Sequence, residues 1–341
     1  MATAEKITIT YNDDLDIGRR DIDCSISCEG VIDTAMSVKK AIEGGGITLV
    51  LVPLEDNPYA FIDTLRRSAP DIIFNLCEGA LGLSSMEMNV ASFYELFGFR
   101  YTGSGPLTLG LCLNKGLAKN ILCANSVPTP AYTVVKGTGL LADIGINFPL
   151  IVKPLQEDAG IGVDSSAVVH DTESLKKRVQ YILDVCKQPA LVEEYINGRE
   201  FNVSVMGNGD DLRVLPVSEI DFSGLPEDMP RLVGYEAKWV AASISYKNTV
   251  PVCPAKVSED LKERLSSIAV KAYRLMGCRD YARVDIRMGK DNVPKVLEVN
   301  PNPDISPDAG IARSAFAAGM TYSTLIHEII KCAMSRYGCN E

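Results

Sequence analysis

Apolar residues in the first hundred positions recur at two different spacings. Residues 6–11, KITITY, alternate and read as a strand. Over 28–43, Val31, Ala35, Val38 and Ile42 recur at helical spacing and form one apolar stripe. Glycines 44–46 end that helix. ITLVLVP, 47–53, is wholly apolar and of strand length, as expected for a strand buried on both faces. A helix over 58–68, a strand over 71–76 and a helix over 85–97 follow. This β-α-β-α-β order predicts a parallel, doubly wound sheet. The glycine run precedes a strand rather than following one, so a dinucleotide-binding fold is not supported.

The turn-rich YTGSGP, 101–106, reads as a boundary, and a helix over 107–124 follows it. Strands at 149–153, 166–169 and 190–194 surround a helix over 172–186. A third region mixes strands with a helix over 258–276 and ends in a hairpin and a helix over 320–337. The expected organisation is α/β followed by α+β. A Rossmann-like domain spans 1–106, a central lobe 107–194 and a C-terminal lobe 195–341. Residues 222–250 combine Gly, Pro and polar residues with weak periodicity and read as the mobile segment.

Composition narrows the partners. The chain has 341 residues, 46% apolar and 23% charged, with a net charge of −10. It carries no dense basic stripe, which argues against nucleic acid. No apolar run approaches the ~20 residues that span a bilayer. The first residues lack the basic and apolar regions of a signal peptide, so a cytoplasmic protein is expected. Ten cysteines without a CxxC pair read as reduced thiols. The two histidines, His170 and His327, have no ligand-like neighbours, which argues against a zinc site or a histidine triad.

Three segments carry the chemistry. DYARVDIRM (280–288) and PKVLEVNPNPD (294–304) alternate around the turn GKDNV and predict an antiparallel hairpin. Strict alternation puts Arg283, Asp285 and Arg287 on one face. It puts Val296, Glu298 and Asn300 together on the second strand, with Leu297 and Val299 opposite. Pairing then unites Asp285, Glu298 and Asn300, a hard oxygen set of the kind Mg²⁺ takes beside nucleotide phosphates. Arg283 on the same face suits charge developing at a phosphate or an acyl oxyanion. In FPLIVKPLQEDAGIGV (148–163) an apolar strand delivers Lys153 ahead of a glycine-containing loop, an arrangement suited to phosphate oxygens. In LVEEYINGREF (191–201) the stretch from Val192 to Tyr195 is a strand-to-hinge segment that can offer backbone groups to adenine. Glu200 opens a strand with Phe201, Val203 and Val205 on one side, where a carboxylate can accept from ribose hydroxyls.

These segments, in this order, resemble the ATP-grasp superfamily and within it the D-alanine–D-alanine ligase family. The similarity runs from about Ile73 to the C-terminal helix, through FNLCEG, YTGSGP, Lys115, PTP, IVKP, LVEEYINGREF, YEAKW, CPA, DYARVD and LEVNPNPD. It implies an ATP-grasp fold behind a Rossmann-like domain, ATP and Mg²⁺ (with Mn²⁺ as a substitute) as cofactors, and small amino acid or amine substrates. It also implies a homodimer, with no membrane or nucleic-acid partner. By resemblance, Lys115 and Lys153 hold ATP phosphates under a lid at 157–162 that includes Glu157, Ala159, Gly160 and Gly162. Glu193 and the backbone of Glu194, Tyr195 and Ile196 match the adenine hinge, and Glu200 the ribose acid. Lys238 matches a mobile-loop lysine reaching the γ-phosphate, and Arg283 the arginine near the acyl phosphate. Asp285, Glu298 and Asn300 match the metal ligands. The implied reaction phosphorylates a carboxylate, which an amine then attacks.

The chain departs from that pattern where substrates would sit. The lid usually carries serines; here it reads Asp158-Ala159-Gly160. The mobile loop usually ends in tyrosine; here it ends in Trp239, the only tryptophan of the chain. The family's serine that grips the second substrate's carboxylate falls near Asp304–Gly310; here NPDISPDAG offers Ser306 beside Asp304 and Asp308, two charges that repel a carboxylate and favour a cationic or amine-bearing acceptor without a free carboxylate. Glu29, at a helix start, is the candidate for a substrate ammonium, with Asp13, Asp14 and Asp16 as rivals. The alternatives are an authentic D-alanine–D-alanine ligase, a nucleotide-binding regulator without turnover, and a biotin-dependent carboxylase.

Overall fold

The structure, a computed structural model, describes residues 4–13, 25–141 and 144–338, leaving aside the side chains of 25–29 and 140. Three sheets carry it. Strands β1 (Lys6–Asn12), β2 (Thr48–Leu54) and β3 (Ile72–Leu76) form a parallel sheet in the order β2-β1-β3. Strands β4 (Tyr132–Val135), β5 (Leu150–Pro154), β6 (Val168–Val169) and β7 (Ala190–Glu194) form an antiparallel sheet in the order β4-β7-β5-β6. The third sheet holds β8 (Arg199–Asn208), β9 (Asp211–Val214), β10 (Ser218–Asp221), β11 (Val250–Val252), β12 (Tyr281–Met288) and β13 (Pro294–Asn300). Its order is β11-β10-β8-β12-β13, with β9 paired to β8.

The parallel sheet is covered on both faces, as its apolar runs require. Helix α1 (Ser25–Ile42) buries Ala35, Val38 and Ile42 against Ile7, Ile9 and Phe74. Val31, the fourth residue of that stripe, instead lines the central cleft. Helices α2 (Pro58–Ser68) and α3 (Glu87–Leu96) cover the other face through Phe61, Leu65, Val90 and Tyr94. Asn57 caps α2, accepting from Tyr59 N at 3.1 Å and Ala60 N at 3.2 Å, with Pro58 at the first helical position.

The helix expected over 107–124 is two helices, α4 (Pro106–Leu113) and α5 (Lys115–Ala124). Asn114 leaves the helical region and caps α5 through Leu117 N at 3.1 Å. Both helices pack against the six-stranded sheet: Cys112, Ala118 and Leu122 join Phe201, Val203, Val284 and Val296 in one core. That core also holds Leu265, Ala269 and Tyr273 of α9 (Glu259–Met276), which follows α6 (Thr172–Val185), α7 (Tyr235–Trp239) and α8 (Ile244–Asn248) in the chain. Helix α10 (Gly310–Ala317) and helix α11 (Tyr322–Tyr337) return to the parallel sheet, burying Ile311, Leu325, Ile326 and Ile329 beside α1.

YTGSGP is a buried junction rather than an exposed break. Tyr101, Thr102 and Ser104 are buried. Asp280, fully buried, accepts from Gly103 N at 2.7 Å, Asn208 Nδ2 at 3.0 Å, and Arg336 Nε and Nη2 at 2.8 and 2.7 Å. The expected mobile segment carries α7 and α8 and is folded onto the lid loop, Tyr235 N donating to Val163 O at 3.0 Å. The cysteines among the described residues are free thiols. No helix among the described residues is long and apolar enough to cross a membrane.

Candidate active site

The three sheets surround a cleft of about 1020 Å³, at the upper end of the roughly 300–1,000 Å³ of small-molecule sites. Lys115, Lys153, Glu157, Ala159, Gly160, Glu193–Ile196, Glu200, Lys238, Arg283, Asp285, Glu298 and Asn300 all line it. Gly162 lies just behind, where an added β-carbon would meet Pro154 Cγ at 2.6 Å.

The hairpin pairs Arg283 with Asn300 and Asp285 with Glu298, so the expected oxygen set does converge. The alternation beyond it does not hold. A bulge shifts the register so that Ile286 faces Val296, leaving Leu297 unpaired. Val296 therefore joins Val284, Ile286 and Val299 in the core, and Leu297 joins Glu298 on the cleft wall. The bulge corrects the face assignment of Val296 and Leu297, which strict period-2 reading reversed.

Asp285 is the hub of this wall. It accepts from Arg283 Nε and Nη2 at 2.8 and 2.9 Å, Asn202 Nδ2 at 2.7 Å and Asn300 Nδ2 at 3.0 Å. The amide nitrogen of Asn300 being so used, its carbonyl oxygen is the group left for other partners. Burial alone would raise the Glu298 carboxyl; Lys115, Lys153, Lys238 and Arg283 outweigh it and bring it down to about 2.

The break at Asn114 makes Lys115 the first residue of α5, with its N–H bonded to Leu155 O at 3.2 Å. Its ammonium meets Glu157 O, Asp158 Oδ1 at 3.1 Å and Glu298 Oε2 at 3.8 Å. Burial opposes its charge, but Asp158 and Glu298 prevail and raise its pKa. One turn on, Lys119 is buried and pairs with Glu193 at 3.0 Å, while Lys153 pairs with the other Glu193 oxygen at 2.8 Å. The two lysines keep this buried carboxylate ionised. Sequence reasoning passed over Lys119; its i+4 spacing from Lys115 was the signal.

The lid loop is shaped by backbone. Ala159, Gly160 and Gly162 have φ of 55°, 77° and 71°. A β-carbon on Gly160 would stand 2.9 Å from Gly234 C and Tyr235 N, so this position closes directly on α7. Arg178 braces the loop at Gly162 O and Asp164. The Glu157 side chain is taken by Ser84 and Gln188, each at 3.2 Å.

At the hinge, Glu194 N is bonded to Ala131 O and Tyr195 N to Pro149 O, and Lys295 holds the Glu194 carboxylate at 2.9 Å. Of the three expected backbone N–H groups only that of Ile196 lacks a partner among the described residues. Arg287, given no role from sequence, organises this corner: it bonds Glu200 at 2.8 Å, Ile196 O at 2.9 Å and Arg231 O. Its alternation with Arg283 and Asp285 was the available sign.

The far wall holds residues the sequence reading left without roles. Glu78, from FNLCEG, projects into the cleft, and its carboxylate has no hydrogen-bond partner among the described residues. Glu78 stays exposed to the solvent of the cleft; the neighbouring protein wall, then Asp304 and Asp158, raise its pKa above the ordinary carboxylate range against Lys238. Glu87, buried, accepts from Asn302 Nδ2 at 3.0 Å. Ser306 Oγ meets both Asp304 and Asp308 at 3.0 Å. The side chain of Glu29 lies outside the described residues, as do Asp14 and Asp16 entirely; Asp13 is described but does not line the cleft.

The chain is similar to known proteins. A family described as the D-ala D-ala ligase C-terminus matches residues 141–331, more than half of the chain. A D-alanine–D-alanine ligase of Bordetella pertussis is 32% identical over 314 residues, covering 88% of this chain and 93% of the relative.

The chain belongs to the D-alanine–D-alanine ligase family.

An uncharacterised protein of Sinorhizobium fredii is 38% identical over 276 residues, 81% of this chain and 78% of its own. The crystal structure of the Bacillus anthracis D-alanine–D-alanine ligase complexed with ATP superposes with a TM-score of 0.76 over 98% of both chains at 24% identity, which places this member in the ATP-grasp fold. Within the family frame, Ala159 and Trp239 meet directly: the indole Nε1 donates to Ala159 O at 3.0 Å. The lid and α7 are thus joined through a main-chain carbonyl, without the hydroxyls that neither residue has.

Proposed function

We propose that the cleft is the site of an ATP- and Mg²⁺-dependent ligase that joins a carboxylate to an amine through an acyl phosphate. The observation that carries this reading is the cross-strand pair Asp285–Glu298, with Arg283 bound to Asp285 and Lys115 facing Glu298. Glu298 and the Asn300 carbonyl offer oxygen donors, and Asp285, whose acceptor sites are taken by Arg283, Asn202 and Asn300, would complete an all-oxygen set on giving up one of those bonds; such a set fits Mg²⁺ better than a softer metal. When bound, the metal offsets charge on the transferring phosphoryl group.

The chain's own residues do the rest. Lys115, Lys153 and Lys238 neutralise phosphate oxygens beneath the 157–162 lid. Ile196 N–H serves adenine, and Glu200, fixed by Arg287, serves the ribose. The substrate carboxylate oxygen takes the γ-phosphoryl group and ADP leaves. The amine nitrogen then attacks the acyl carbon, the bond to the phosphate oxygen breaks, phosphate departs, and the nitrogen loses a proton. Arg283 stabilises the oxyanion formed on the way. The division into 1–106, 107–194 and 195–341 belongs to the same reading and is supported by each segment having its own sheet, although α4 and α5 pack with the third.

The test is mass identification of products after incubation with ATP, Mg²⁺ and a mixture of D- and L-amino acids and amines. A condensation product with stoichiometric ADP and phosphate is expected. Product formation unchanged by Arg283→Ala and Glu298→Gln would sink the ligase reading. Robust turnover of D-alanine alone to its dipeptide would make this an authentic D-alanine–D-alanine ligase, against the altered lid at Ala159 and Trp239.

A further inference from the structure

Behind the wall of the cleft one buried carboxylate has two cations. Glu193 Oε2 stands 3.0 Å from Lys119 Nζ, and Glu193 Oε1 stands 2.8 Å from Lys153 Nζ. Neither contact has the alignment of a hydrogen bond, so charge rather than direction holds the carboxylate. The two cations are placed differently. Lys153 lines the cleft with 12% of its side chain exposed; Lys119 stands behind Glu193 with 1% exposed. Lys119 is also tied back. It donates to Thr129 Oγ1 at 2.8 Å, and Thr129 donates to Val296 O at 2.7 Å. The Lys153 ammonium has no second anchor of that kind among the described residues. Burial works against the Glu193 charge; Lys119 first and Lys153 second overcome it and keep the carboxyl below its ordinary range.

A nucleotide changes this arrangement. When Lys153 turns to a phosphate oxygen, as the proposed site requires, Glu193 loses its outer counter-charge. A carboxylate 1% exposed and left without a cation is strongly disfavoured. Lys115 does not replace Lys153, because Asp158 at 3.1 Å and the Glu157 carbonyl engage its ammonium. Lys119 remains, since burial and the bond to Thr129 keep it from following Lys153 into the cleft.

We propose that Lys119 is a positioning residue for the nucleotide phosphates: a fixed counter-charge to Glu193 that lets Lys153 exchange that carboxylate for a phosphate oxygen. This rests on the ATP-dependent reading of the cleft and gives Lys119 no contact with the nucleotide itself.

The experiment is calorimetric titration of the full chain with a non-hydrolysable ATP analogue plus Mg²⁺ and, separately, with adenosine, which has no phosphate for Lys153. In Lys119→Met, Lys153 alone balances Glu193 and stays with it. The Kd for the analogue should rise about tenfold or more, the loss of a hydrogen bond to a charged group, with adenosine bound as in wild type. Lys119→Arg keeps the counter-charge and should recover most of the loss. In Glu193→Gln there is no charge to balance, so adding Lys119→Met there should change the analogue Kd by no more than about twofold. That comparison decides the matter if Lys119→Met alone does not fold. An analogue Kd unchanged in Lys119→Met overturns the proposal. So does equal weakening of analogue and adenosine, the mark of a merely structural residue, and so does a loss that persists in full in the Glu193→Gln background. These outcomes leave the ligase reading standing; a wild type that binds the analogue no more tightly than adenosine removes both.

Discussion

Trp239 donates its indole N–H to the carbonyl of Ala159 at 3.0 Å, tying α7 to the phosphate lid. The same ring stands against α1, 3.7 Å from where a β-carbon on Gly30 would be. One side chain thus links α7, which carries it, to two other walls of the cleft.

Trp239→Phe keeps a ring and deletes the donor. We expect the KM for ATP to rise about three- to tenfold, in line with a neutral hydrogen bond of about 1 kcal/mol. Because Trp239 is the only tryptophan, wild-type emission reports this corner alone. ATP with Mg²⁺ should shift that emission; a spectrum indifferent to saturating nucleotide would contradict the latch.

Arg283→Ala removes the group beside the proposed acyl carbon and leaves Asp285 with its two asparagine donors. kcat should fall about 10²- to 10³-fold, as when one oxyanion donor is lost. Steady-state phosphate release checks it, and nucleotide binding measured by calorimetry should change far less.

Glu78 supplies a pH signature. Its folded pKa of about 8 lies above the ordinary 4.5, so the folded chain holds an extra proton between those values. Stability contributed by this group therefore falls as pH rises from about 4.5 through 8. Glu78→Gln removes that slope. The melting temperature of the variant should gain on wild type across pH 5 to 8.5 and level off above; a constant difference refutes the shift.

Arg336 and Asp280 form a buried pair, with side-chain exposures of 13% and 0%. Arg336→Ala strands the carboxylate, which should cost about 3–5 kcal/mol. Urea unfolding measures it. A loss under about 1 kcal/mol would show that Gly103 N and Asn208 suffice to hold Asp280.

The parallel sheet was legible because β1 alternates, while β2 and β3 are short, largely apolar runs of strand length bounded by turn signals. The oxygen set was legible because Asp285 and Glu298 alternate within strands. Leu297 was not, since a bulge is a register event between two strands and leaves no mark on either one's sequence. Asn114 hid inside a continuous apolar pattern, so one helix was read where two exist. Lys119 and Arg287 share a different reason: each matters through what it meets across the fold, and such pairings are tertiary facts.

Asp280 reaches three stretches of chain at once, at Gly103, Asn208 and Arg336. The consequence is mechanical. With that bolt in place, we expect the parallel sheet and the six-stranded sheet to behave as one anvil. On that expectation, access to the cleft falls to the four-stranded sheet and the lid it carries, with the 195–198 segment as the hinge. Hydrogen exchange should show nucleotide slowing residues 150–194 and 235–248 while leaving 101–104 as protected as before; equal slowing at the Asp280 junction would mean that the anvil itself comes apart.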